Sequence, residues 1–221
     1  MPSRARSSRR AFAAVLVAAA RDRAELLMAE VNHRVANSLA LVASMIKIQA
    51  RGTADLRSRE LLNEIHDRVS AVALVHRRLY ASNEVNSVDL ADFLSALVDQ
   101  LAAMMRDTGH PGLVRLEVAP IAFPTDKSVS LGVVTAELVT NAFKYAYPAG
   151  PGEIRVRLER AGDGEAVLTV ADDGVGRVMG AAPKDTGLGT RLVAAMVGSL
   201  GGRLDYLDGA PGTVARVTFP I

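Results

Sequence analysis

From residue 22 to residue 51 the apolar side chains recur with the period of an α-helix. At 100° per residue, Leu27, Val31, Val35, Leu39, Val42, Met45 and Ile46 fall within an arc of about 120°, which reads as a core-facing stripe. Inside this helix lies Glu30-Val31-Asn32-His33-Arg34-Val35-Ala36-Asn37-Ser38-Leu39. His33 sits at about 240° on the same wheel, opposite the centre of the stripe near 60°. Its imidazole is therefore predicted to face solvent, with Asn37 beside it one turn on. A lone surface histidine is usually only a solvated residue. A rigid backbone, an outward imidazole and polar neighbours are also what a nitrogen nucleophile needs when a separate catalytic domain must reach it.

Arg51-Gly52-Thr53-Ala54-Asp55 supplies a glycine break and a Thr or Asp cap, and a second helical pattern runs over residues 55–80. Leu61, Leu62, Ile65, Val69, Val72, Val75 and Leu79 gather on one face of it. Two amphipathic helices joined by a short turn make an antiparallel hairpin, and one partner helix cannot cover either stripe fully. Pairing of two hairpins into a four-helix bundle is the economical solution, so a homodimer is expected. His76 falls within the apolar arc and reads as a core or interface residue. His66, at the edge of that arc, is a second candidate reactive histidine, and His110 lies in a Gly-Pro loop.

The segment 81–87 is polar and carries no periodic apolar residues, which places a domain boundary there. The organisation read from the pattern is an N-terminal extension (1–22), a helical hairpin (23–81), a linker (82–88) and a second domain (89–221). That domain reads as a helix (89–106), a strand (113–118), a helix (128–145), strands at 153–160 and 165–171 joined across Ala161-Gly162-Asp163-Gly164, a helix (189–200), and two strands flanking Gly209-Ala210-Pro211-Gly212. The fold class is α+β: a helical hairpin followed by an α/β sandwich, a mixed sheet with helices on one face.

Three polar clusters in the second domain suit a nucleotide. Glu137, Asn141 and Lys144 project from one helix face, and a carboxylate, an amide oxygen and an ammonium there suit a magnesium ion and phosphate. Asp172-Asp173-Gly174-Val175-Gly176 follows an apolar strand. A carboxylate at a strand end can accept from an exocyclic amine, and glycines beyond it let a flat ring approach the backbone. Thr186-Gly187-Leu188-Gly189-Thr190 opens a helix whose amides and dipole can hold phosphate oxygens. Each cluster alone has an ordinary reading, as a solvated face, a turn or a helix start. Their joint occurrence in this order is much harder to obtain by chance.

With these motifs together the chain resembles bacterial sensor histidine kinases of the subfamily whose acceptor motif is His-Arg-Val-x-Asn, related to the HWE kinases; His33-Arg34-Val35-Ala36-Asn37 is that motif. The resemblance extends through Leu74-Val75-His76-Arg77-Arg78-Leu79-Tyr80, Glu137-Leu138-Val139-Thr140-Asn141-Ala142-Phe143-Lys144-Tyr145, the Asp172 segment and Gly187-Leu188-Gly189. It implies a dimerisation and histidine-phosphotransfer hairpin followed by an ATP-binding domain of the Bergerat type shared with gyrase and the Hsp90 chaperones. It further implies ATP and Mg²⁺ as ligands. Asn141 would be the magnesium ligand, Glu137 the carboxylate that orders the site or assists proton removal, and Lys144 a phosphate partner. Tyr145 would stack near the adenine and Asp172 would accept from its amine. Gly174 and Gly176 would shape the pocket, and Gly187, Leu188, Gly189 and Thr190 would form the phosphate end.

The implied reaction is autophosphorylation of His33, then transfer to an aspartate of a separate response-regulator receiver domain, since no receiver is visible in this chain. Many such kinases carry an acidic residue after the phosphorylated histidine. Arg34 stands there instead, free to contact the γ-phosphate or a response regulator, and Glu30 is the local candidate for the imidazole proton. Two rival readings remain: a phosphotransferase or phosphatase without kinase activity, and a Bergerat-type ATPase or serine-directed anti-sigma kinase that would not need His33.

No cysteine occurs among the 221 residues, which excludes thiolate metal sites and cysteine nucleophiles and agrees with a reducing compartment. A net charge of +2 and the absence of Trp argue against nucleic-acid binding. Ser8-Arg9-Arg10-Ala11-Phe12 partly matches a twin-arginine export signal, but export would carry the chain away from ATP. The apolar run 11–20 is too short to span a membrane, so residues 1–22 read as an Ala-rich extension of the first helix and the cytoplasm as the location. Those residues are too few for a sensor domain, so the input is expected from a partner, from a sensorless design or from a longer parent chain.

Overall fold

The computed structural model describes residues 3–80, 87–162, 164–176, 188–209 and 211–221. Residues 177–186, between the Asp172 segment and the second glycine motif, and Gly187 lie outside the described residues, as does most of the expected linker. Helices α1 (Ser3–Gly52) and α2 (Leu56–Leu79) form the hairpin. The Ala-rich segment continues α1 back to Ser3. Asp55 caps α2 by accepting from the Ser58 amide at 2.8 Å, and Arg59 fixes the turn by donating to the Thr53 carbonyl at 2.8 Å.

The face of α1 that packs on α2 is not the predicted stripe. Ala36, Ala43 and Ala50, one heptad apart, are the buried residues among the described side chains of α1, while Leu27, Val31, Val35, Val42 and Met45 stay exposed within the chain. Small side chains let the two helices approach closely. The large apolar stripe sits about 100° further round the helix and is left without a cover from its own hairpin.

Strand β1 (Ser87–Asp89) replaces the last residues of the expected linker and pairs with β3 (Ala122–Pro124); neither strand was foreseen. Helix α3 (Leu90–Asp107) follows, with Asp89 accepting from the Ala91 amide at 2.7 Å. The other strands are β2 (Leu113–Val118), β4 (Glu153–Ala161), β5 (Glu165–Asp172), β6 (Arg203–Asp208) and β7 (Thr213–Pro220). They form one sheet in the order β2-β4-β5-β7-β6 in which only the β2–β4 pair is parallel. A parallel pair needs a crossover, and β3 with helix α4 (Thr125–Tyr145) supplies it.

Alternation along the strands decides which face is covered. Ile154, Val156 and Leu158, Ala166, Leu168 and Val170, and Ala215, Val217 and Phe219 point into the core, whereas Arg157, Glu159 and Arg216 are exposed on the other face. Helices α3, α4 and α5 (Leu188–Ser199) lie on the buried face. The result is the α/β sandwich expected, with residues 131–139 of α4 buried at its centre.

The hairpin is not held apart from this sandwich. Ala71, Leu74, Val75 and Leu79, from the C-terminal half of α2, belong to the same core as Leu97, Leu101, Leu131 and Val134. Gly132 marks the closest approach, since a β-carbon there would lie 2.8 Å from Val75 and 2.7 Å from Phe93. His76, in this half, stacks on Tyr80 with ring centroids 4.6 Å apart. Its Nδ1 is buried without a partner among the described residues, and burial pushes its pKa down. No described helix is long and apolar enough to cross a membrane.

Candidate functional site

Between α4, α5 and the sheet lies a cavity of about 320 Å³, within the range of small-molecule sites. Asn141 and Tyr145 on α4, Asp172 at the end of β5, Gly176 beyond it and Thr190 in the first turn of α5 all line it. Asp172 is 7% exposed and its Oδ1 accepts from the amides of Gly174 at 3.0 Å and Thr213 at 3.3 Å. A buried carboxylate held by two backbone amides is fixed in orientation and retains acceptor capacity on its second oxygen. The neighbouring Asp173 turns outward instead. Arg155 grips it with bonds of 2.5 and 2.6 Å, and its amide donates to the Tyr147 hydroxyl at 2.9 Å.

Glycines allow the chain to close around this carboxylate. Gly212 has φ +97°, and a side chain there would run into the Asp172 carbonyl. Gly174 does not line the cavity; it is pressed against Ala146, whose carbonyl accepts from the Val175 amide at 2.9 Å. Thr213, paired in register with Asp172, lines the cavity with Tyr206, Leu138, Val193 and Ala215, none of which the sequence reading singled out. A Gly-Thr pair opening the strand beside Asp172 was the available signal for Thr213.

Glu137 and Lys144 share the α4 face with Asn141, as their spacing predicts, but both are engaged by the hairpin. The Arg68 guanidinium on α2 lies 3.4 Å from Glu137 Oε2, and the Lys144 ammonium is 2.7 Å from Asp67. Glu137 is 4% exposed; burial pushes its carboxyl above the usual range, and Arg68 and Lys144 oppose that shift without cancelling it. Burial acts in the same direction on Asp67, but hydrogen bonds from Lys144 and His66 prevail and hold it below the usual range. His66 reaches Asp67 through Nδ1 at 3.1 Å. Gly189, at the start of α5, is buried, and a β-carbon there would lie 2.8 Å from Glu137 Oε2 and 2.9 Å from the Arg68 Nη2 atom. Leu188 opens the same helix.

His33 is exposed on α1, as predicted, and its Nδ1 lies 3.3 Å from the Asn37 amide nitrogen. Glu30, the expected proton acceptor, is occupied otherwise: Arg34 donates to it through Nε at 3.1 Å and Nη2 at 2.5 Å. An i,i+4 guanidinium–carboxylate pair outcompetes an i,i+3 imidazole. Asn37 is therefore the imidazole's neighbour. Leu39 lines an apolar cavity of about 450 Å³ with Ile65, Arg68, Val69, Arg191 and Leu192, between the hairpin and α5. His33 lies six residues, about 9 Å of helix, before Leu39.

Comparison with known proteins agrees with this geometry. Residues 30–105 match the family described as "Histidine kinase", and residues 126–221 match "Histidine kinase-, DNA gyrase B-, and HSP90-like ATPase". The chain is similar to sensor histidine kinase PdtaS of Mycobacterium tuberculosis, 34% identical over 211 residues that cover 89% of this chain and 41% of that protein. It is 28% identical over 198 residues to blue-light-activated histidine kinase 2 of Erythrobacter litoralis, covering 88% of this chain and 57% of that one. The chain thus spans about half the length of the curated relatives it matches. Among solved structures, the histidine kinase domain of the Erythrobacter litoralis EL346 blue-light-activated kinase superposes with a TM-score of 0.62 at 26% identity, covering 87% of this chain and 92% of that one.

Proposed function

Because this chain belongs to the histidine kinases, with a phosphotransfer region and an ATPase region of that family in succession, we propose that it uses ATP to phosphorylate His33 and passes the phosphoryl group to an aspartate of a separate response-regulator receiver domain. The observation that carries this reading is the convergence of Asp172, Asn141, Tyr145, Gly176 and Thr190 on one cavity, in a chain whose hairpin presents an exposed histidine. Asp172 accepts the adenine amine, Tyr145 covers the base, and Thr190 with the first amides of α5 receives phosphate oxygens.

In the reaction a lone pair on an imidazole nitrogen attacks the γ-phosphorus in line. The bond from that phosphorus to the β–γ bridging oxygen breaks, and ADP leaves with the electron pair. Asn37 selects the nitrogen. With its amide nitrogen toward the ring, Nδ1 must accept and Nε2 holds the proton; with its amide oxygen toward the ring, Nδ1 donates and Nε2 holds the attacking lone pair. In either case the proton on the other ring nitrogen passes to solvent, since Glu30 is held by Arg34. Asn141 offers a hard amide oxygen, and no group of three or more His, Cys, Asp or Glu able to hold a metal occurs among the described residues. That donor set fits Mg²⁺ held mainly by the nucleotide's own phosphates, where it would offset their charge.

The uncovered stripe on α1 supports a homodimer in which two hairpins pack as a four-helix bundle. The need for ATP supports the cytoplasm as the location. Incubation with γ-labelled ATP and Mg²⁺, comparing wild type with His33→Gln, tests the whole reading. Acid-labile, base-stable label that disappears in His33→Gln is expected. Label that survives the substitution refutes His33 as acceptor, and no label despite ATP binding favours the phosphotransferase or phosphatase reading.

A further inference from the structure

The hairpin brings a cation, Arg68, against Glu137 and Gly189, each the sequence neighbour of a residue that lines the nucleotide cavity, Leu138 on α4 and Thr190 on α5. Gly174 and Val175, which follow Asp172, pack on Ala146, whereas Glu137 lies nine residues earlier on α4, about 13.5 Å along its axis. That separation is comparable with the distance from the base to the terminal phosphate of an extended nucleoside triphosphate. Arg68 lies at the Glu137 end, over the first turn of α5, where Gly189 lacks the β-carbon that would collide with it.

Arg68 has donors to spare. Its side chain is only 17% exposed, yet its carboxylate partners are distant, Glu137 at 3.4 Å and Glu64 at 3.6 Å, where charge-assisted bonds normally close to about 2.7–2.9 Å. Its Nη1 atom is buried with no partner among the described residues. A buried guanidinium nitrogen without an acceptor is costly, and a phosphate oxygen is the acceptor whose geometry the planar fork matches. Lys144, the cation on the ATPase helix itself, is meanwhile neutralised by Asp67 at 2.7 Å. Docking of the hairpin therefore occupies one positive charge and supplies another with open hydrogen-bonding capacity.

We propose that Arg68 binds the terminal phosphate of the nucleotide, so that the phosphotransfer hairpin completes the triphosphate site and the docked state distinguishes ATP from ADP. This rests on the nucleotide reading above and adds to it a binding residue from outside the ATPase domain. The consequence is reciprocal: a bound triphosphate draws the hairpin onto the ATPase domain, and loss of the terminal phosphate releases that hold.

The test is nucleotide affinity by titration calorimetry on the full chain, with MgATP and MgADP, for wild type, Arg68→Ala and Arg68→Lys. ADP serves as the internal control because it lacks the group Arg68 would touch. Arg68→Ala is expected to weaken ATP by roughly 10- to 100-fold and leave ADP within about twofold, with Arg68→Lys in between. Equal effects on both nucleotides, or none on either, overturn the proposal. If Arg68→Ala fails to fold, the ATP-to-ADP ratio of Arg68→Lys decides alone, an unchanged ratio counting against Arg68. Failure of wild type to bind either nucleotide would overturn the nucleotide reading itself, a distinct result.

Discussion

Replacing Asp172 by Asn separates the two tasks of this carboxylate, holding the fold and reading the base. Both recorded hydrogen bonds, from the Gly174 amide at 3.0 Å and the Thr213 amide at 3.3 Å, converge on Oδ1. An Asn side chain keeps an oxygen at that position, so it retains the two amide donors and places its NH₂ where Oδ2 stood. The fold should survive: a change of under about 1 kcal/mol, or roughly 2–4 °C in Tm, is expected. Binding should not. The adenine amine loses a charged acceptor, about 1.5–3 kcal/mol, and faces another donor, so ATP and ADP should both weaken by at least roughly 10- to 100-fold. Inosine triphosphate carries a carbonyl where adenine has its amine, and the new NH₂ can donate to it. Calorimetric titration should therefore show Asp172→Asn preferring inosine triphosphate to ATP, the reverse of wild type. Asp172→Asn binding ATP within about twofold of wild type, or losing ATP and inosine triphosphate equally, would refute the assignment of Asp172 to the base.

Three further outcomes follow from the same geometry. Asn37→Ala removes the imidazole's partner and should slow His33 labelling about fivefold, the equivalent of about 1 kcal/mol, with ATP affinity unchanged; an unaltered labelling rate counts against tautomer selection. Glu137 has its folded pKa raised by burial, so its contribution to stability is greatest below the ordinary value of 4.5 and is lost as pH rises through the folded value. Glu137→Gln should accordingly gain in Tm relative to wild type between pH 4 and pH 8, and a pH-independent difference would sink the argument. Val42→Glu places a charge on the exposed α1 stripe, where it disturbs no packing within the chain. Sedimentation should show wild-type dimers and Val42→Glu monomers, and a dimeric variant would require another interface.

What could be read from the sequence was what depends on near neighbours along the chain. Strands β2, β4 and β5 alternate cleanly because one face is buried and the other wet, so their spans were legible to within a residue. Asn141, Tyr145, Asp172, Gly176 and Thr190 were legible as candidates, and all five line one cavity, because each lies in a motif whose local geometry sets what it can contact. Strands β1 and β3 carry three residues each, too few to show alternation, and form only because residues 33 or more apart in the chain meet. The α1 stripe was legible as apolar, but that α2 would pack beside it and leave it exposed within the chain was not, since periodicity finds a face without saying what covers it. The alanines that do pack on α2 are invisible to a search for large apolar side chains. Arg68 and Asp67 were not singled out from the sequence, because their partners Glu137 and Lys144 lie 69 and 77 residues away. The middle of α2 thus places charges against α4, and its C-terminal part enters the sandwich core through Val75 and Leu79. One helix carries both contacts, so a shift of α2 must change the polar site and the apolar packing together. That coupling gives the hairpin a physical route to sense what the ATPase domain holds.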